Sequence, residues 1–196
     1  MFRKLGQVQS NSKLHSREQL LPSFSSLDRY CKRKPNDPSA LHLFGLVSER
    51  FGHDELAIDA IRRAITQLEQ IYEKSEDSQI ERRYAIANTN LGRLLVTSGQ
   101  YEDAIETLQT AYGLLSEEDQ SIESVALRAM CQSGCGIAHF QLGNLEDAVT
   151  LFESAQEIAS THIHIRGQMA ILMAQALWAS GNDELKESAK NQLLEV

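Results

Sequence analysis

The sequence predicts an all-α fold, a right-handed α-solenoid of antiparallel helix pairs with extended helices. Three observations predict it. With 3 Pro and 11 Gly in 196 residues, the chain has too little turn punctuation for a fold of many short strands. One frame recurs three times: Gly45, Gly92 and Gly136 are each followed seven residues later by a glycine (Gly52, Gly99, Gly143). An alanine stands five residues beyond that second glycine (Ala57, Ala104, Ala148), and another seven further on (Ala64, Ala111, Ala155). Finally, Gly45 to Gly92 is 47 residues and Gly92 to Gly136 is 44, room for two long helices per unit.

The frame has a physical reason. Two helices joined by a very short turn need small residues where their axes come closest, and the first glycine and first alanine of each unit supply them. Phe44, Leu91, Leu95, Ile61, Leu108 and Phe152 fill the rest of the seam. The second glycine ends the first helix, because a left-handed cap costs glycine little.

Taken in order, residues 1–22 are polar and read as poorly ordered. Residues 23–37, containing FSSLDRYCKRKPND, read as the second helix of a repeat whose first helix is missing. The first repeat spans 38–71, with Pro38 in the first turn of its first helix. The second spans 85–118 and the third 129–162, and these two agree at nearly every seam position. Residues 167–196 form a degenerate or partial fourth repeat, in which Lys186 takes the place of the second-helix alanine. The extra residues of the long period, around YEKSEDSQIERRY and SEEDQSIESVALR, are charged helix formers and are expected to protrude as longer helical ends. Repeat arrays need polar caps, and neither end supplies an obvious one, so the chain is expected to be a segment of a longer solenoid flanked by further repeats.

The net charge of -8 is uneven. Residues 1–38 hold eight Lys/Arg against three Asp/Glu, leaving eleven against twenty-four in the repeats. An acidic body argues against direct nucleic-acid binding, and Lys32, Arg33 and Lys34 are too short a basic run to reverse that. Three cysteines, Cys31, Cys131 and Cys135, do not make a disulfide framework, which points to a reducing compartment. No stretch approaches the ~20 apolar residues of a membrane span, and the amino terminus lacks the apolar core of a signal peptide. A cytoplasmic, membrane-free location is expected.

No phosphate-binding loop, nucleophile elbow or His-Glu-x-x-His helix occurs, so neither catalytic residues nor a cofactor are expected. Cys131, Cys135 and His139 fall on one helical stripe, but Cys135 and His139 occupy seam positions, where packing explains them better than metal ligation. His162 and His164 are too isolated to complete a site. Glu117, Glu118 and Asp119 lie between helices, where a solvated face or helix-start charge accounts for them.

First-helix residues facing away from the second helix line a groove. The candidate protein-binding residues are Leu43, Leu46, Ile86, Asn90, Arg93, Met130, Ile137 and Phe140, joined by His42, Glu49, Thr89, Val96, Ser133 and Gln141. The groove is mostly apolar and suits an extended or helical protein segment.

The frame, with its Leu-Gly pair and later Ala-x3-Phe, resembles the tetratricopeptide repeat. One co-chaperone subfamily of these repeats clamps carboxyl-terminal tails with Lys, Asn and Arg. The equivalent places here are His42, Leu46, Asn90, Met130 and Gly134, and only Asn90 matches. More specifically, LHLFGLVSERFG (41–52), AIRRAITQLEQIYE (60–73) and RYAIANTNLGRLLVTSGQYEDAIETLQTAYGLL (83–115) resemble the tetratricopeptide subunit of the superkiller complex. That resemblance implies a cytoplasmic scaffold without catalytic residues, several times longer than this chain. It implies partners too: an RNA helicase and WD-repeat propellers, feeding messenger RNA to the exosome for 3′-to-5′ decay. Asn90, Leu91 and Gly92 also resemble the peptide-binding adaptors of the kinesin-light-chain or polarity-scaffold type, whose grooves capture linear motifs.

Overall fold

The computed structural model describes residues 24–75, 77–179, 187 and 190, which fall into two compact units meeting between Lys74 and Ser75 in the chain. Residues 1–22 and the place of Lys186 lie outside the described residues. Every regular element among the described residues is an α-helix. The first unit holds α1 (24–33), α2 (Pro38–Arg50) and α3 (Asp54–Tyr72). The second holds α4 (Ser78–Thr97), α5 (Tyr101–Gly113), α6 (Ile122–Gln141), α7 (Leu145–Ile158) and α8 (Ile163–Ala179).

In the first unit, Pro38 opens α2 because its missing N–H would be unpaired there in any case. The Asp37 carboxylate caps the same turn, accepting from Ser39 N at 3.0 Å and Ala40 N at 3.1 Å. Its other oxygen accepts the Tyr30 hydroxyl at 3.1 Å, and that bond together with the Asp37 charge raises the Tyr30 phenol above its ordinary pKa. Cys31, Phe24 and Leu27 of α1 pack on Ala40, Leu41 and Phe44 of α2 and on Ala60 and Ala64 of α3, so α1 closes one side of the α2/α3 hairpin.

Each hairpin turns on a glycine with positive φ: Gly52 at 76°, Gly99 at 76° and Gly143 at 85°. The amides of His53, Gln100 and Asn144 reach back to Ser48 O, Leu95 O and His139 O at 2.9 to 3.0 Å, the six-to-one bond of a Schellman stop. The residue making that bond is also the N-cap of the next helix. A turn this short forces the paired helices into antiparallel contact.

At the seam, the bulky residue one turn after each frame alanine sits over the frame glycine of the first helix. A methyl at Gly92 would lie 2.5 Å from Leu108 Cδ2, and one at Gly136 would lie 3.0 Å from Phe152 Cε1. At Gly45 it would meet Ile61 and lie 3.0 Å from Ala57 O. The glycines thus make room mainly for a large side chain, and the alanines, all fully buried, let the second-helix backbone come close enough to deliver it.

The long period resolves unevenly. α3, α4 and α6 run 19, 20 and 20 residues against 13 for α5 and 14 for α7. Residues 114–121 are not helical, contrary to their helix propensity, because side chains take the backbone groups a helix would use. Asp119 Oδ1 accepts from Ser121 N at 2.9 Å, and Ser121 caps α6 by accepting from Ser124 N at 3.3 Å. In α6 the exposed end is short: Ile122 and Glu123 are exposed, but Ser124, Val125 and Arg128 are already buried.

Candidate protein-binding hollow

In the second unit, the first helices α4, α6 and α8 border an open hollow of about 220 Å³. Arg93 and Val96 of α4 face it, as do Met130 and Ile137 of α6. Met169 and Leu172 of α8 complete the wall. Leu108 of α5 reaches the floor beside Gly134, where an added methyl would stand 2.7 Å from Leu108 Cδ1.

The structure divides the residues expected in the groove. Arg93, Met130 and Ile137 share this hollow, with Val96. Thr89 and Ser133 also border it but are 1% and 3% exposed, and their hydroxyls donate to Ala85 O at 2.9 Å and Met130 O at 3.2 Å. Ile86 and Asn90 are half-buried on α4 outside the lining, and Gln141 is exposed at the end of α6. Phe140 is half-buried and outside the lining; like Ile137, it packs against Ala148, Phe152, Met173 and Ala174. Leu43, exposed, and Leu46, His42 and Glu49, half-buried, belong to α2 of the first unit.

Sequence reasoning missed Met169 and Leu172, although continuing the frame to Ala174 marks α8 as another first helix. It also missed Arg128, which is 5% exposed in α6. Its guanidinium donates to Glu117 O at 3.2 Å and Asp119 O at 3.0 Å, tying the 114–121 turn to α6. An arginine inside VALRAMC was the available signal. Beside it, Arg82 of α4 pairs with Glu123 and lies 3.9 Å from Asp119. The Ser121 amide, more than Arg82, holds the Asp119 carboxyl below its usual range.

Cys131 and Cys135 lie in the core with Leu108 and Ala111. Burial pushes their thiols up to about 11 and about 12. Cys131 Sγ is 3.5 Å from Thr89 Oγ1, and His139 Nδ1 is 3.6 Å from Asp147 Oδ2 on α7. Among the described residues no group of three His, Cys, Asp or Glu side chains could hold a metal ion, and no helix is long and apolar enough to cross a membrane.

Residues 84–161 match the tetratricopeptide repeat family model. The chain is 30% identical over 172 residues to superkiller protein 3 of Schizosaccharomyces pombe, covering 87% of this chain. This is a tetratricopeptide-repeat chain, and it resembles superkiller protein 3. The Saccharomyces cerevisiae protein of that name is 26% identical over 180 residues, 91% of this chain. The chain spans 12% of the length of each of these relatives. A crystal structure of kinesin-light-chain TPR-like repeats from Podospora anserina shares the fold at TM-score 0.67 and 16% identity, covering 96% of this chain and 93% of that one. Tetratricopeptide repeats are protein-interaction scaffolds, and the matched window runs from within α4 to just past α7, taking in most of the hollow's lining.

Proposed function

We propose that this chain is a non-catalytic segment of a superkiller-type scaffold, acting in cytoplasmic exosome-mediated 3′-to-5′ messenger RNA decay. One observation carries the reading: identity to superkiller protein 3 extends over 172 residues, far beyond the 84–161 window that a generic repeat match covers. Its partners are then a superkiller-type helicase and WD-repeat propellers, with further repeats of the same longer protein on either side. RNA passes to the exosome through those partners, since the acidic repeat body offers little to a phosphate backbone.

A second reading, a peptide-motif adaptor of the kinesin-light-chain or polarity-scaffold type, is favoured by the shared fold and by an apolar hollow on the first helices. Affinity purification of the tagged chain from cells, followed by mass spectrometry, separates the two. Helicase and propeller subunits support the superkiller reading; cargo or cortical proteins in their absence replace it with the adaptor.

A further inference from the structure

We infer that Ser116 is a phosphorylation site for an acid-directed serine/threonine kinase, and that Arg82 receives the phosphate across the recess the two residues share. The site goes beyond the partner readings and holds under either of them.

The fold singles out the acceptor. Kinases read their substrates partly through charge patterns around the hydroxyl. Among the described residues, Ser25, Thr66, Ser78, Ser116, Thr150 and Ser154 have an Asp or Glu three residues further on, the pattern an acid-directed kinase reads. All but Ser116 lie within helices, where the backbone is held in hydrogen bonds and does not extend through a kinase groove. Thr66 and Thr150 also donate their hydroxyls to the carbonyls of Arg62 and Glu146. Ser116 stands exposed on the non-helical 114–121 turn. Its Oγ accepts the Glu118 amide at 3.2 Å, and Glu117, Glu118 and Asp119 fill the three positions after it.

The product has a partner in place. In the transfer, Ser116 Oγ bonds to the γ-phosphorus of a nucleoside triphosphate as the bond to the diphosphate leaving group breaks, and the hydroxyl proton passes to the kinase's catalytic carboxylate. Ser116 lines an open recess of about 280 Å³ with Arg82 of α4, Leu114, Leu115 and Leu127. Arg82 is the one cation in that lining; it pairs with Glu123 of α6 and lies 3.9 Å from Asp119 Oδ2. A phosphoserine brings nearly two negative charges and three strong acceptor oxygens, which match the planar guanidinium fork better than a single carboxylate does. Surrounded otherwise by Glu117, Glu118 and Asp119, the phosphate takes Arg82 from Glu123. Phosphorylation thereby exchanges a tie between α4 and α6 for one between α4 and the 114–121 turn.

The test incubates the purified full chain with magnesium, ATP and casein kinase 2 as the acid-directed enzyme, runs a base-directed kinase in parallel, and maps phosphate by tandem mass spectrometry. Ser116 is expected to carry most of the phosphate from the acid-directed enzyme and little from the other. Ser116→Ala should remove most of it. Asp119→Asn, whose amide oxygen can still accept from the Ser121 amide, should keep the circular dichroism unchanged and lower kcat/KM roughly tenfold. Phosphorus NMR titration of the phosphorylated chain reads the second contact: Arg82→Gln should raise the second phosphate pKa by ~0.3 or more. The chain affinity-purified from cells with a phosphatase inhibitor present should also carry phosphate on Ser116. A folded chain left unlabelled, phosphate mainly on another residue, an Asp119→Asn rate equal to that of the unsubstituted chain, or Ser116 unmodified in cells overturns the site. An identical phosphate pKa in the Arg82→Gln chain overturns the contact with Arg82. Each outcome is read independently of which partner subunits co-purify, so failure here leaves the superkiller reading standing, and the reverse holds too.

Discussion

Replacing Gly92 by alanine should destabilise the second unit, although alanine is the better helix former. The added methyl would lie 2.5 Å from Leu108 Cδ2, against ~3.5–4.0 Å for carbon atoms in contact, so about 1 Å must be found. Leu108 is 1% exposed and cannot swing into solvent. Overpacking of this kind costs about 1–3 kcal/mol, and the change from Gly to Ala inside a helix returns about 1 kcal/mol. A net loss of about 1–2 kcal/mol follows from the upper half of that range. Gly113→Ala is the control, because a methyl there meets nothing within 4 Å, and it should be neutral or stabilising by up to ~1 kcal/mol. Urea unfolding followed by far-UV circular dichroism reads both. Leu108→Ala alone should cost ~2–5 kcal/mol, but the Gly92 methyl would partly fill that cavity. The double variant should therefore be more stable than the sum of the singles by ~1 kcal/mol. An equal gain from Gly92→Ala and Gly113→Ala, or a strictly additive cycle, would refute the proposed seam.

Three further outcomes follow from the geometry. Arg128→Ala should cost ~2–4 kcal/mol, because it strips the turn carbonyls of a buried charged donor, and amide exchange should speed up at residues 114–121 before the helix cores. Asp37→Ala should cost about 1 kcal/mol in the first unit by removing both cap bonds, with little effect on melting of the second. Cys131 and Cys135 should resist Ellman's reagent at pH 8 until the chain unfolds. With pKa raised from 9.0 to about 11 and about 12, their contribution is intact below pH 9 and is lost as pH rises from there toward 11 or 12. Rapid labelling of the native chain would contradict that burial.

The all-α helix-pair fold was legible because its determinants are local or periodic. Gly52, Gly99 and Gly143 declare their turns through conformational freedom, and Pro38 declares a helix start. Gly92 and Leu108 declare the seam by recurring in frame with Gly45 and Ile61 and with Gly136 and Phe152. The hollow was only half legible. Arg93, Met130 and Ile137 follow from helical phase, but which α6 side chains border the hollow while also packing on the α7/α8 core, as Ile137 does and Phe140 does not, depends on where α8 lies. Arg128 bonds to backbone carbonyls of a turn, partners that no residue identity advertises. The 114–121 segment reads as helix by propensity and is overruled by Asp119 and Ser121, whose side chains substitute for helical hydrogen bonds.

If this chain is a protein-binding segment of a superkiller-type scaffold, it binds the helicase or a propeller directly. Titration calorimetry of the purified chain against a purified superkiller-type helicase and a purified WD-repeat propeller tests it most directly. Saturable binding to at least one of them is expected, with Kd near or below ~1 μM, about −8 kcal/mol. Heats indistinguishable from dilution with both, from a chain whose circular dichroism shows it folded, would contradict it.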